Sequence, residues 1–555
     1  MKLLHFRTRI SRVLQQYRFS VFCFLYFFLL AFYLRTVFID WNPLVQSFSL
    51  STHASSLLYA ALNAIIILSL LNLISHIKRV AIIFVLLLAI IISIEATLAI
   101  AFSSQVTLGL FSSVIETNKH EALGAIRMYA GIAVPLIIVT SIVLYLAYRE
   151  LKSRKPYILA SILFIIAGFG ICYGSVYLLM DKSQRRKVPE ELRISPLMHF
   201  HSVLGVRLPL LTNVGFASVI YCQEMYRFRT ELANPKTLPQ EISFFTTSNS
   251  PNTIFVVLGE SSLQTHYSLY GYNLPTTPFL DSLKNADRLS YYNAVSPASI
   301  TRDALGLSLS FATPLDRQPL LNNKNAVALA NDAGYESYWI SNQDKIGMHD
   351  SYIGLIASYA DTSCFFNFQK DDLELIPIVE KLYNPKIKQI FFIHLKGSHL
   401  EYKEKYDKAD CRVLTNDFNK TLDYDRSIYH TDRVIGLLYN TIVNKLDPKA
   451  ASFSLVFYFS DHGEIINKGH GFLDKDMDQF MIPFVVIPYN DTIDTNHIID
   501  KYLVDGRLNT TNFNYILSEV MGYKISEKGI EKAKNDGLYY YHVDGKTYLF
   551  NDIKK

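Results

Sequence analysis

The stretch FSLVFYFSDHGE, residues 453–464, joins an apolar run directly to an acid and an imidazole. The run at 453–459 contains a single serine, a pattern typical of a strand buried on both faces of a sheet. Asp461 and His462 follow where that strand would end. Removing both groups from water without a metal or another partner would cost several kcal/mol of folding free energy. A metal-binding role is therefore favoured for this pair.

Similar apolar runs recur through the second half of the chain and alternate with helical patterns. The runs are at 253–258, 335–340, 388–395 and 481–488, and the clearest helical patterns are at 325–334 and 424–446. Near-continuous apolar strands separated by helices predict a parallel sheet covered on both faces. Ligands of such α/β sheets bind beyond the carboxyl ends of the strands, so polar residues at those ends are the candidates for chemistry.

Polar residues follow three of these runs. Glu260 follows the run at 253–258, His399 follows the run at 388–395, and Asp461, His462 and His470 follow the run at 453–459. Carboxylate and imidazole ligands together suit zinc or a similar divalent ion. For Glu260 alone the alternative is an acid placed in the first turn of a helix, where the helix dipole stabilises it.

The remaining histidines lack such a pattern. His394 lies inside an apolar run and is expected to be a hydrogen-bonded core residue. A packing or solvated role is expected for four others, which are His266, His349, His430 and His497.

The segment SPASITRDALGLSLSFAT, residues 296–313, offers a hydroxyl nucleophile. Ser299 and Thr301 precede a helical pattern that starts near Arg302, so helix N–H groups would face an incoming phosphate. A metal beside such a hydroxyl stabilises its alkoxide. The alternative is that Ser299 or Thr301 only caps the helix.

Five stretches near the N-terminus are long and apolar enough to cross a bilayer, at about 19–39, 55–74, 80–102, 129–148 and 157–180. Lys and Arg concentrate in 1–20, 75–79 and 149–156, which predicts that these segments are cytoplasmic. Five crossings then place the large C-terminal region outside. The first stretch has no cleavage site and is expected to be a retained anchor.

These observations divide the chain into a membrane domain (1–180), a segment with an interfacial helix and a linker (181–250), and a soluble catalytic domain (251–555). The interfacial helix is expected at 215–228. A sixth membrane helix is the alternative, which Glu224 and Arg227 make weaker.

The charge and the cysteine content bear on nucleic-acid binding and on disulfide formation. The net charge of the 555 residues is +5, and no basic stripe suggests nucleic-acid binding. Of the five cysteines, Cys364 and Cys411 both lie in the soluble domain and could pair in an oxidising compartment, although the sequence leaves this open.

The motifs GESS, YSLYGY, SITRDALGLSLSFA, GYESYWISNQ, HLKGSH and FSDHGE occur in this order after five membrane segments. The chain thereby resembles the bacterial phosphoethanolamine transferases of the alkaline phosphatase and sulfatase superfamily. The resemblance implies a periplasmic domain of that fold in a multi-pass inner-membrane protein. It also implies transfer of phosphoethanolamine from phosphatidylethanolamine to lipopolysaccharide, by a protein expected to be a monomer.

The resemblance also assigns residues. Glu260, Thr301, Asp461 and His462 would hold the catalytic zinc, with Thr301 as the nucleophile and with one or two zinc ions in the site. His399 and His470 would bind the substrate phosphate or transfer protons, and Asn342 in GYESYWISNQ would contribute to substrate binding.

Two departures from the family and three competing functions matter. Members that act on lipid A often carry Cys-Gly-Thr and several disulfides, whereas this chain has Ser-Ile-Thr and few cysteines. These departures place the chain nearer members that modify the lipopolysaccharide core, and the acceptor stays open between a core sugar, a lipid A phosphate and another glycan. A sulfatase would need a Cys/Ser-x-Pro-x-Arg motif, which is missing near 299–303. The chain could also be a phosphoglycerol transferase of the same superfamily, or a non-catalytic membrane scaffold or transporter. Against a scaffold or transporter, Glu95 is the only acid in mid-membrane, and its sequence neighbours are apolar.

Overall fold

The structure is a computed structural model, and the chain in it divides into two compact units, Met1–Gln223 and Glu224–Lys555. The division falls inside the segment expected to hold a helix and a linker. The structure describes residues 15–39, 51–77, 80–102, 104–116, 119–179, 182, 196–231, 234–244, 250–343, 351–366, 371–415, 420–445, 453–473, 476–489 and 493–553.

The first unit is helical. Its described helices are α1 (Arg18–Ile39), α2 (Ser51–Ile74), α3 (Ala81–Phe102), α4 (Leu108–Glu116), α5 (Lys119–Lys152), α6 (Ile158–Leu179), α7 (Pro196–Leu204) and α8 (Pro209–Glu231), the last of which continues past the division. Among the described residues, five helices are long and apolar enough to cross a membrane, namely α1, α2, α3, α5 and α6. They coincide with the five stretches expected from the sequence, so the helical membrane domain is confirmed. The expected helix at 215–228 lies within α8.

One acid is buried among these helices. Glu95 on α3 accepts hydrogen bonds from Asn213 Nδ2 at 2.6 Å and from the Val106 N–H at 3.1 Å. Its sequence neighbours are apolar, but its spatial partners are polar, because α8 brings an amide side chain to it. The carboxylate is thus hydrogen-bonded within the membrane unit.

The second unit is built on an eight-stranded sheet with the strand order β5-β4-β6-β2-β7-β8-β3-β9. Two further pairs of strands, β1 with β10 and β11 with β12, lie outside it. The strands are β1 (Ile242–Phe244), β2 (Thr253–Gly259), β3 (Ser290–Val295), β4 (Glu336–Ser341), β5 (Thr362–Phe365), β6 (Gln389–His394), β7 (Ser454–Ser460), β8 (Met481–Tyr489), β9 (Leu508–Asn509), β10 (Tyr523–Ile525), β11 (Tyr539–Tyr541) and β12 (Thr547–Leu549).

The expectation of a wholly parallel sheet is wrong, because β8 runs antiparallel to both β7 and β3. A parallel neighbour needs a crossover of a dozen or more residues, usually through a helix. In the described part of the connection from β7 to β8, the only regular element is a 3₁₀ turn at Met477–Gln479. The other four predicted strands, β2, β4, β6 and β7, are parallel as expected.

Helices cover both faces of the sheet, as expected. Alternate residues of the central strands feed two separate cores: Ile254 and Val256 point to one, and Phe255 and Val257 to the other. The long helix Leu422–Lys445, α16, packs on the second face. The described helices of this unit are α9 (Pro278–Asn285), α10 (Thr301–Ser308), α11 (Pro319–Asn322), α12 (Ala326–Asp332), α13 (Tyr352–Ala357), α14 (Ile376–Leu382), α15 (Lys408–Val413), α16 (Leu422–Lys445), α17 (Thr495–Asp500), α18 (Phe513–Val520) and α19 (Glu527–Asp536).

Candidate metal centre

The predicted site residues gather at the carboxyl ends of the central strands. β2 lies between β6 and β7 and is parallel to both, and its last residue, Gly259, pairs with Ser460 at the end of β7. Glu260 and Asp461, the next residues along each chain segment, are therefore neighbours. Glu260 follows a strand and caps no helix, so the helix-dipole alternative for it is wrong.

Four polar side chains converge at this edge. The Thr301 hydroxyl oxygen lies 3.3 Å from Glu260 Oε2 and 3.2 Å from His462 Nε2. His462 Nε2 lies 3.2 Å from Asp461 Oδ2 and 3.5 Å from Glu260 Oε1. Every donor atom in the predicted zinc set thus faces the same small volume.

The imidazole of His462 has the tautomer and the charge state of a metal ligand. Its Nδ1 lies 2.8 Å from the carbonyl oxygen of Gly463, and because a carbonyl only accepts, Nδ1 must carry the proton. This leaves a lone pair on Nε2, directed at the carboxylates. Burial lowers the pKa of His462 to about 4, despite the nearby charge of Asp461, so the ring is neutral at neutral pH.

The charge in this volume calls for a cation. Glu260 and Asp461 are 2% and 1% exposed. Asp461 Oδ1 accepts hydrogen bonds from the backbone N–H groups of Ser261 and His462, at 3.0 and 2.7 Å. Asp461 Oδ2, however, is buried without a hydrogen-bond partner among the described residues. An unsatisfied buried carboxylate oxygen is costly, and a metal ion would satisfy it.

Thr301 is the first residue of α10, one position earlier than expected. Ile300 occupies the cap position, and no side chain caps the helix, so the alternative that Ser299 or Thr301 is a helix cap is wrong. The Ser299 hydroxyl is buried without a hydrogen-bond partner in the described part of the chain, whereas the Thr301 hydroxyl contacts Glu260 and His462. Of the two hydroxyls, only that of Thr301 reaches the converging ligands.

Two more histidines lie next to these ligands. The ring centroid of His470 is 4.0 Å from that of His462 and 5.5 Å from that of His399. Burial and the nearby His470 lower the pKa of His399 well below its usual value, so it is neutral. Glu260, His399 and His470 also bring potential ligand atoms within 4.8 Å of one another, so a second ion could share Glu260.

Glu464 and Tyr402 orient His470 and were not predicted. The carboxylate of Glu464 lies 2.8 Å from His470 Nδ1 and accepts a hydrogen bond from the Tyr402 hydroxyl at 2.8 Å. Burial raises the pKa of Glu464 to about 8. The position of Glu464, two residues after His462 in the quoted motif, was the available indication in the sequence.

A buried aspartate that the sequence analysis missed connects Asn342 to the loop that carries His399. Asp372 accepts hydrogen bonds from Asn342 Nδ2 at 2.7 Å, from the Lys396 N–H at 2.9 Å and from the Gly397 N–H at 3.0 Å. Asn342 therefore belongs to the support of this loop, and nothing in its contacts tests the predicted role in substrate binding. Asp372 follows no apolar run, so no pattern in the sequence pointed to it.

The remaining predicted residues either form no hydrogen bond or ion pair with the four converging side chains among the described residues or lie outside the described chain, although His394 lies near enough to Asp461 for the carboxylate to affect its pKa. His394 is buried in β6, and burial lowers its pKa to about 4, but its Nε2 has no hydrogen-bond partner among the described residues, so it is less satisfied than expected. His266 pairs with Asp425 at 2.7 Å, and His497 is exposed on α17. His349 lies outside the described residues. Cys364 and Cys411 are both free thiols.

A further group of Asp407, Asp410 and His430 could in principle bind a metal, but its charges are already balanced. Both nitrogens of His430 face carboxylates, Nδ1 that of Asp410 at 2.8 Å and Nε2 that of Asp371 at 2.9 Å. Arg433 Nη1 contacts both Asp407 and Asp410. We interpret this group as a buried ion network.

Comparisons with known proteins confirm the resemblance. Residues 252–502 match the sulfatase family. Among curated proteins, the chain is 26% identical over 391 residues to the phosphoethanolamine transferase EptC of Escherichia coli, covering 65% of this chain and 64% of EptC. It is 30% identical over 297 residues to the phosphoethanolamine transferase OpgE of the same species, covering 50% and 52% of the two chains. The match thus spans slightly less than two thirds of EptC.

A solved structure matches over most of the length. The chain aligns with the integral membrane lipooligosaccharide phosphoethanolamine transferase A from Neisseria meningitidis with a TM-score of 0.67 and 19% identity, covering 93% of this chain and 97% of the other. At this identity the likeness concerns the fold. It confirms a helical membrane domain followed by an α/β domain, and the match of residues 252–502 to the sulfatase family concerns the latter.

Proposed function

Because residues 252–502 form a sulfatase-family domain, we propose that this chain is a phosphoethanolamine transferase of the bacterial inner membrane. It takes phosphoethanolamine from phosphatidylethanolamine and passes it to lipopolysaccharide, at a core sugar or at lipid A. The catalytic domain faces the periplasm, in keeping with the distribution of Lys and Arg around the five spans. The curated relatives named as phosphoethanolamine transferases support the reaction class.

Zinc is the metal proposed for the site. Glu260, Asp461 and His462 supply two carboxylates and one neutral imidazole, a ligand set that suits zinc and leaves a fourth position. Thr301 completes the set through its hydroxyl oxygen. Bound there, zinc would lower the pKa of the Thr301 hydroxyl and balance charge on the phosphoryl oxygens.

The chain's own residues then carry the transfer in two displacements. The Thr301 oxygen attacks the phosphorus of the donor, the bond from phosphorus to the glycerol oxygen breaks, and diacylglycerol leaves with a proton. A protonated hydroxyl or phosphate oxygen of the acceptor next attacks the phosphorus, the bond from phosphorus to the Thr301 oxygen breaks, and that oxygen takes up the proton that the acceptor loses. His399 and His470 hold the phosphoryl group or move these protons; their rings lie 5.5 Å apart, and the hydrogen bond to Glu464 orients His470, which supports these roles.

One observation carries this proposal: the Thr301 hydroxyl lies within 3.3 Å of both a buried carboxylate and a neutral imidazole. These groups are suited to bind a metal that would activate the hydroxyl as a nucleophile. Because α10 begins at Thr301, helix N–H groups lie beside the hydroxyl as well.

The donor can be tested with the purified full-length protein in mixed micelles. We expect release of diacylglycerol from phosphatidylethanolamine, with little release from phosphatidylglycerol. A preference for phosphatidylglycerol would replace the proposal by a phosphoglycerol transferase. No release from either lipid, with zinc bound, would favour a non-catalytic scaffold.

A further inference from the structure

Two buried arginines share one tyrosine ring in the membrane unit. Arg35 near the end of α1 is 1% exposed, and Arg207 in the turn between α7 and α8 is 5% exposed. Their guanidinium carbons lie 4.6 and 5.8 Å from the ring centroid of Tyr59 on α2. Two positive charges are therefore held close together, away from water.

These two arginines donate fewer hydrogen bonds than their N–H groups allow. Arg35 donates from Nη1 to the Val206 carbonyl at 3.0 Å and from Nε to the Ser56 hydroxyl at 3.4 Å. Arg207 donates from Nη1 to the Val203 carbonyl at 2.7 Å, but its Nε is buried with no hydrogen-bond partner in the described part of the unit. Each guanidinium has five N–H donors.

No carboxylate balances this charge among the described residues, since neither arginine forms an ion pair there. The buried acid of the unit, Glu95, is bound instead by Asn213 and the Val106 N–H. Burying one unpaired charge is already expensive, and two like charges against the same ring are more so. An anion bound to the guanidinium groups would remove this cost.

The position of the pair indicates which anion this is. Arg35 lies at the end of a span, Tyr59 near the start of the next, and the Tyr59 hydroxyl is 2.6 Å from Ser175 near the end of α6. Under the predicted topology, these ends all face the periplasm. That depth is where phospholipid head groups meet the acyl chains, and the guanidinium fork matches phosphate oxygens.

We propose that Arg35 and Arg207 form a binding site for the phosphate of a phospholipid in the outer leaflet of the inner membrane. The site needs only the membrane topology and not the transferase activity. Glutamine in place of either arginine removes the charge and keeps a polar side chain of similar reach.

The test compares phospholipid retention by full-length protein in detergent, using native mass spectrometry during graded delipidation with phosphatidylethanolamine as the probe. We expect the wild type to keep one phospholipid at a detergent concentration that strips it from Arg35→Gln and Arg207→Gln, with an affinity loss of about tenfold or more. Arg149→Gln is the matched control, because Arg149 is an exposed arginine beside Tyr145 in the same unit. It should retain the lipid like the wild type.

Thermal unfolding separates a binding role from a purely structural one. Added phospholipid should raise the Tm of the wild type and of Arg149→Gln, but not that of Arg207→Gln. Without lipid, Arg207→Gln should be at least as stable as the wild type, because the substitution relieves repulsion between the two arginines. Equal lipid retention by all variants, or a lower Tm for Arg207→Gln regardless of lipid, would overturn the proposal. Displacement of the lipid by millimolar inorganic phosphate would identify a free-anion site and also overturn it.

Discussion

Asp461 carries the least satisfied charge in the site, since its Oδ2 is buried and has no hydrogen-bond partner among the described residues. Asp461→Asn keeps the shape of the side chain and removes the charge. We expect zinc affinity to fall by more than about 100-fold, because even residues that only support metal ligands are worth 10-fold to 100-fold. Equilibrium dialysis with zinc measures the loss.

Asp432→Asn provides the control for this substitution. Asp432 is also a buried acid of the second unit, but it accepts hydrogen bonds from the N–H groups of Phe279 and Leu280 at the start of α9. The asparagine variant should bind zinc like the wild type. Equal zinc affinity of Asp461→Asn and the wild type would remove Asp461 from the ligand set.

At the scale of elements, the loop after β6 depends on a glycine. Gly397 has φ +51°, and a Cβ there would lie 2.6 Å from the backbone oxygen of Glu260. The Ser398 N–H donates to that same oxygen at 2.8 Å. Gly397→Ala should therefore move the loop that carries His399, lower the free energy of unfolding by more than about 2 kcal/mol and reduce kcat about 100-fold.

Substitution of Gly334 is the control, because it introduces backbone strain without a steric clash. Gly334 also has positive φ, at +81°, but a Cβ there would meet no atom within 4 Å. Gly334→Ala should cost about 1 kcal/mol and leave kcat unchanged. Chemical denaturation and steady-state kinetics on both variants decide the matter, and equal kcat values for the two would contradict the proposed role of the loop.

The His430 network joins α15, α16 and the segment that carries Asp372, and it should make stability depend on pH. Burial alone would lower the pKa of His430, but hydrogen bonds to Asp371 and Asp410 outweigh burial and raise the pKa to about 9. The unfolded value is about 6.5. The protonated network therefore stabilises fully below pH 6.5, and about 3 kcal/mol of this stabilisation is lost as the pH rises to about 9.

Thermal unfolding of the full-length protein between pH 6 and 9.5 tests this dependence. We expect the Tm of the wild type to fall more steeply over this range than that of His430→Gln. His497→Gln, which replaces an exposed histidine of the same unit, should keep the wild-type slope. The same slope for all three proteins would show that His430 is not protonated in the folded state.

At the scale of the whole molecule, the length of the apolar stretches was enough to predict the membrane spans, and the apolar runs with their strand-end residues were enough to predict the central strands and the convergence of Glu260, Asp461 and His462. The direction of β8 was missed because an apolar run looks the same in either strand direction, and nothing in the sequence showed that the described part of the connection from β7 to β8 would hold no α-helix. Asp372 and Arg207 were missed because their partners are backbone groups and rings distant in sequence. Such contacts arise from tertiary packing and leave no local pattern.

The orientation of the molecule follows from the flanking charges and an odd number of spans. A reporter that is active only after export, fused after Tyr270, should be active. A cytoplasmic reporter at the same position should be inactive. The opposite pair of results would reverse the topology and remove lipopolysaccharide as an accessible acceptor.

The central claim is that Thr301 carries the transferred group, and intact-protein mass spectrometry after incubation with phosphatidylethanolamine alone tests it most directly. The account predicts a phosphoethanolamine adduct that peptide mapping assigns to Thr301. Thr301→Ala should lose the adduct and at least about 10³-fold of turnover, with stability within about 1 kcal/mol because Thr301 is not the helix cap. Ser299→Ala should keep both adduct and turnover. A fully active Thr301→Ala, or an adduct mapped to another residue, would contradict the claim.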